Sequence, residues 1–203
     1  MRLYGSPLAL AASLLAPLPA LAVPITASYS VDALDSDPGL VVSTEPVAEN
    51  PFTVDLEEGD SVTFDLFSIW TDESVVNSDD GVYPGDITVS FDFLAPEPAS
   101  VDVTGITVGV FALIASFGDV DWDGPDTTTF GALGDGSLQI ALSDTTFNAG
   151  AFGDNLYEGK EHAGTVQATL SWLPASQVPE PASLGLMGLG LVGLGALGRR
   201  KAA

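Results

Sequence analysis

The chain has 203 residues, with 28 Asp and Glu against 5 Lys and Arg, and no cysteine. The lack of cysteine excludes disulfides and thiolate metal sites. Four of the basic residues are terminal (Arg2, Arg199, Arg200, Lys201), so the stretch between the ends holds one base, Lys160, against every acid but Glu180, a net charge near −26. Such a surface repels phosphate backbones and anionic lipid, which argues against nucleic acid as a partner.

Residues 1–22 read as a secretory signal. Arg2 is a minimal basic start, an apolar stretch runs from Leu8, and Pro17 and Pro19 break any helix. Ala20-Leu21-Ala22 has the small-x-small spacing that signal peptidase cuts, which predicts a mature start at Val23. A buried N-terminal helix is the alternative, but the segment has no polar face.

Residues 23–173 have the size of one ordinary domain, large enough to bury a core without staples. Period-two alternation dominates them. It runs through Ile25 to Val31, Phe52 to Leu56, Val62 to Leu66, Ile87 to Phe93, Leu138 to Leu142 and Val166 to Trp172. Each run puts its apolar residues on one face of a strand and Thr, Ser or Asp on the other. After Leu66 the apolar parity shifts to Phe67 and Ile69, the mark of a β-bulge. Residues 101–115 are apolar on both faces in part, which predicts a central, doubly covered strand; a helix is the competing reading, against which Gly105 and Gly109 argue. Glu58-Gly59-Asp60, Asp79-Asp80-Gly81, Pro84-Gly85-Asp86 and Gly134-Asp135-Gly136 supply turn formers. The expected fold is all-β: an antiparallel two-sheet sandwich of seven or eight strands, jelly-roll or Ig-like.

Within this body, Gly118-Asp119-Val120-Asp121-Trp122-Asp123-Gly124-Pro125-Asp126 carries the most chemistry. Alternate carboxylates on a curving loop would suit Ca²⁺, with Asp119, Asp121, Asp123 and Asp126 as ligands. The Asp-x-Asp-x-Asp-Gly part matches the start of an EF-hand-like loop, but Phe130 stands where the bidentate Glu should be. The plainer alternative is an acidic loop capping a strand, and calcium is the one cofactor the sequence raises. Asp72-Glu73 and Asp79-Asp80 read as a second, solvated acidic connection. His162, the single histidine, lies in a polar loop without the context of a nucleophile triad. Trp70 and Trp122 are candidate sugar-stacking platforms, with Trp122 the better candidate for exposure. No catalytic constellation emerges; a secreted hydrolase stays open only because paired carboxylates are placed by the fold.

After Trp172 the chain enters a proline-bearing spacer, residues 174–183, of extended character. It ends in Val178-Pro179-Glu180-Pro181-Ala182-Ser183. Leu184 to Gly198 is uncharged and apolar, about 22 Å long as a helix, and short for a bilayer unless its flanks join it. It is expected to be a single transmembrane helix at the inner membrane, with Arg199-Arg200-Lys201 staying cytoplasmic.

This layout closely resembles the PEP-CTERM sorting signal: a Pro-Glu-Pro motif (Pro179, Glu180, Pro181), a glycine-rich apolar segment, and a basic end (Arg199, Arg200). The resemblance implies recognition by exosortase, a membrane-embedded transpeptidase-like protease that cuts near the motif and releases or re-anchors the protein. It also implies a Gram-negative cell that makes exopolysaccharide. A permanent tail anchor is the alternative. The combined expectation is an exported, non-enzymatic surface or matrix protein in contact with exopolysaccharide, processed by signal peptidase and exosortase. A calcium-dependent carbohydrate-binding module is the runner-up.

Overall fold

A computed structural model describes residues 22–33, 38–112, 114–131, 136–151, 153 and 155–173. Among them the chain forms strands β1 (Val23–Ala33), β2 (Ser43–Pro46), β3 (Phe52–Leu56), β4 (Ser61–Trp70), β5 (Gly85–Ala95) and β6 (Ala99–Val110). They are followed by β7 (Phe117–Trp122), β8 (Asp126–Phe130), β9 (Gly136–Leu142), β10 (Thr145–Phe147) and β11 (Gly164–Leu173), with one 3-10 turn at Lys160–His162. The first sheet has the order β10-β7-β6-β5-β1-β3, the second β2-β4-β11-β9-β8. All named pairings are antiparallel.

Alternation explains the packing. Ile25, Ala27 and Tyr29 of β1 and Ile87, Val89, Phe91 and Phe93 of β5 turn inward from the first sheet. Leu138 and Ile140 of β9 and Val166, Ala168 and Leu170 of β11 turn inward from the second, and the two sets meet in one continuous core. The bulge falls where the parity shift places it. Phe67 pairs with Val166 and Asp65 with Gln167, leaving Leu66 as the extra residue, and Leu66 and Phe67 are both fully buried. Tyr29 ties the sheets together across this bulge, its hydroxyl donating to the Leu66 carbonyl at 2.7 Å.

Strand β6 differs from the doubly covered strand expected over 101–115. It is interior to its sheet, but its inward positions are Val103, Gly105, Thr107 and Gly109, and Ile106 on the opposite side is exposed. The small residues face inward because that volume is already taken. A Cβ at Gly105 would stand 2.8 Å from the Trp122 ring, and one at Gly109 would stand 2.6 Å from the Asp80 side chain. Gly85 and Gly136, read as turn residues, instead open β5 and β9. Gly59, with φ +88°, makes the turn between β3 and β4 as expected.

The registers fix the direction of every strand. Val23 pairs with Leu56, Thr26 with Ala95, Ser171 with Ser61 and Leu173 with Ser137. The start of β1 and the end of β11 therefore lie at the same end of the sandwich. Around this terminal pole a cleft is lined by Val23, Pro96, Glu97, Phe130 and Trp172, with Trp172 stacked on Phe130 at 5.8 Å.

The far pole is organised by Asn148, which is fully buried and has φ 51°. Its Oδ1 accepts from the Thr71 amide at 2.9 Å, and its Nδ2 donates to the carbonyls of Thr71, Tyr157 and Gly159. One side chain thus satisfies backbone groups of two separate loops. Asn148→Ala is expected to cost about 3 kcal/mol, because buried backbone groups lose their partners and a non-glycine αL position loses its best-suited residue. Urea denaturation would check this; a loss below about 1 kcal/mol contradicts the role.

Candidate functional site

The aspartate segment is a strand corner instead of a loop. Asp119 and Asp121 lie on β7, pointing outward, while Val120 and Trp122, which alternate with them, point into the core. Gly124, at φ +113°, lies between β7 and β8. Asp123 accepts from the Thr104 hydroxyl through Oδ2 at 2.6 Å, and its amide donates to the Thr104 carbonyl. Asp126 opens β8 opposite Ile140, in the second sheet. Asp119 and Asp121 thus share the outer face of the first sheet, Asp123 is held at the end of that face by the outward Thr104, and Asp126 lies apart on the second sheet. Among the described residues no group of three or more His, Cys, Asp or Glu is arranged to hold a metal ion. The segment expected as a curving calcium loop is for Asp119 and Asp121 an extended strand, which sets alternate carboxylates in a row along one open sheet face.

One neighbour was not visible in the sequence. Asp144, beyond the end of β9, accepts from the Trp122 amide through Oδ1 at 3.1 Å. Burial raises the Asp119 carboxyl above its ordinary value of 3.8, and the charges of Asp121 and Asp144 add to the rise. An acid with a raised folded pKa stabilises the fold fully below the unfolded value and loses that contribution as pH climbs through the folded one. Asp119→Asn should therefore raise the melting temperature slightly at pH 7, by less than about 1 kcal/mol in stability given the partial exposure, and change nothing near pH 3. A drop at pH 7 contradicts this.

Trp122 is buried at 7% exposure, against the expectation that it would stand out. Its ring nitrogen donates to the Ser143 carbonyl at 3.2 Å, and its edge meets Phe67 at 6.4 Å between centroids. It is a core residue and no sugar platform. Trp70 is half-buried on the outer face of β4, with the Lys160 ammonium 5.9 Å from its ring. His162 is exposed in the 3-10 turn, beside the Tyr157 ring at 5.1 Å. Asp80 also departs from the solvated loop expected for it. It is fully buried, its Oδ2 accepts the Asn77 amide at 2.7 Å, and its carbonyl accepts the Gly109 amide. It pins the loop before β5 against β6.

The acids are not spread evenly. Asp32, Asp55, Asp86, Asp92, Asp102, Asp119 and Asp121 all project from the outer face of the first sheet. The outer face of the second sheet carries Glu45 and Asp65; Glu45 is paired with Lys160, and Asp65 accepts from the Gln167 amide at 2.8 Å. The rest of that face is mostly Thr, Ser and Gln, with Trp70, Ala141 and Leu173 as its apolar members.

Of the terminal sites, Ala22 is exposed immediately before β1. Ala20, Pro179, Glu180, Pro181, Arg199 and Arg200, together with the expected spanning segment 184–198, lie outside the described residues. Among the described residues no helix is long and apolar enough to cross a membrane.

The body is thus an all-β, two-sheet antiparallel fold with both of its ends at one pole. Comparison with protein families matches residues 177–201 to the PEP-CTERM protein-sorting motif. The chain therefore carries the C-terminal signal of an exported, surface-sorted exosortase substrate. Searches of curated proteins and of solved structures found no match for it.

Proposed function

We propose that the chain is a non-enzymatic surface or matrix protein that is made as a membrane-held precursor and trimmed at both ends. Signal peptidase removes residues 1–22. Residues 184–198 hold the precursor in the inner membrane with the body outside, and exosortase cuts near Pro179-Glu180-Pro181. The body then meets exopolysaccharide at the cell surface or in the surrounding matrix.

The observation that carries this reading is the sorting motif at 177–201. The fold supports it in a second way. Leu173 ends a strand paired on both sides, so the spacer begins at the rim of the body and the motif lies several residues beyond it. A protease acting at a membrane surface needs an extended target clear of the fold, and prolines 174, 179 and 181 disfavour helix in that stretch.

Intact-mass measurement of the mature protein from the native cell tests the proposal. A C-terminus between Pro179 and Ser183, with Val23 at the N-terminus, is the expected result. A mature protein still ending at Ala203 overturns the sorting step.

A further inference from the structure

We propose that the outer face of the second sheet is a docking surface for a neutral polysaccharide. The inference deepens the matrix reading above and rests on it for where the ligand is met.

The charge distribution comes first. In a body with 27 of the chain's 28 acids, strands β4, β11, β9 and β8 present one outward carboxylate, Asp65, already engaged by Gln167. At the edge, Glu45 is neutralised by Lys160. What remains is a hydroxyl and amide array. Thr63 and Thr169 share a hydrogen bond at 2.8 Å, and Ser61, Ser171, Gln139 and Thr127 form a row across four strands. Hydroxyls and amides both donate and accept, which matches the hydroxyls of a sugar polymer without charge.

The shape selects a polymer. The clefts around Trp172, Asp72 and Val82 lie toward the poles, the second of them reaching this face only at its edge through Ser43. A ligand must be laid across the sheet, making many weak contacts, as an extended chain does. Trp70, half-buried at the upper corner beside Lys160, offers the face's aromatic surface. A second copy of this chain fits less well. Stable protein interfaces centre on buried apolar anchors, and the exposed large apolar residues (among them Val82, Tyr83, Phe111 and Ile114) lie off these strands. Two bodies of net charge near −26 also repel each other.

The test is affinity electrophoresis of the full chain in neutral detergent through gels containing dextran, a soluble neutral β-glucan, or anionic alginate. At least one neutral glucan should retard the protein equally at low and high salt and with EDTA present, and alginate should not. Gln139→Glu combined with Gln167→Glu should weaken binding at least about tenfold, which is about 1.4 kcal/mol. The control pair Ser30→Glu and Thr53→Glu, on the first sheet, should leave it unchanged. Trp70→Ala, with the fold verified by circular dichroism, should also weaken it. No retardation by either neutral glucan, equal binding by both charge pairs, binding abolished by EDTA, or self-association through this face in sedimentation without glucan binding would overturn the proposal. The trimming of the tail, read by mass, is a separate outcome: a trimmed protein that ignores glucans sinks the docking face alone, and a glucan-binding protein with an intact tail sinks the sorting step alone.

Discussion

Replacing Pro179, Glu180 and Pro181 by alanine is expected to leave the exported chain ending at Ala203 and held in the membrane fraction. The motif lies inside the matched segment 177–201 and immediately precedes the apolar stretch. Two prolines fix φ and remove two amide donors, so this stretch is biased toward extended backbone. Glu180 places the sole acid of the tail between them. Alanine reverses both properties, because it favours helix and carries no charge. The apolar stretch and Arg199-Arg200-Lys201 are untouched, so the precursor should still insert. The measurement is the ratio of full-length to trimmed mass in membrane and culture fractions, where the wild type should be almost wholly trimmed. Equal trimming of both chains would show that the protease reads something other than these three residues.

The largest loss of stability in the body is expected from Phe67→Ala. Phe67 is fully buried at the bulge of β4, and its ring meets the edge of Trp122 from the opposite sheet. Removing it opens a cavity between the sheets. The alternating neighbours are locked in both ladders and cannot close that cavity. Such truncations cost about 3–5 kcal/mol, a large part of the 5–15 kcal/mol that holds a typical domain together. The melting temperature should fall by roughly 10 °C for a body of this size. Urea titration should show a lower midpoint with an unchanged slope. A loss under about 1.5 kcal/mol would mean that the bulge repacks around the vacancy.

The long strands were legible because each has one wet and one dry face. Ile25 to Val31, Ile87 to Phe93 and Val166 to Trp172 state their pairing faces in the order of their residues, and the bulge after Leu66 is a visible slip in that order. β7 was not legible as a strand, because its pattern also fits a ligand-bearing loop. Asp119 and Asp121 alternate with Val120 and Trp122, so the spacing that resembled a ligand set is also the signature of a strand with a buried face. Trp122 decides between them, and only its partners Phe67, Gly105 and Ser143, distant in sequence, show that it is buried. β2 and β10 carry little apolar pattern: Ser43-Thr44-Glu45-Pro46 has no aliphatic residue at all, and β10 is three residues long. Asp80 and Asn148 were hidden for a related reason. A buried polar side chain is justified by the backbone groups it satisfies, and those belong to loops brought together by the fold. The sorting motif, by contrast, is a short contiguous run of residues at 177–201, so it was legible in the sequence without the fold.

Tension applied through the tail would enter the body at Leu173, the last residue of β11. That strand is flanked by β4 on one side and β9 on the other. A pull along its axis loads two ladders of hydrogen bonds simultaneously, in shear, whereas a pull on an edge strand such as β8 could peel bonds one at a time. The exit point of the chain from the body is therefore mechanically strong, because two ladders must yield together before Leu173 is drawn out of the sheet.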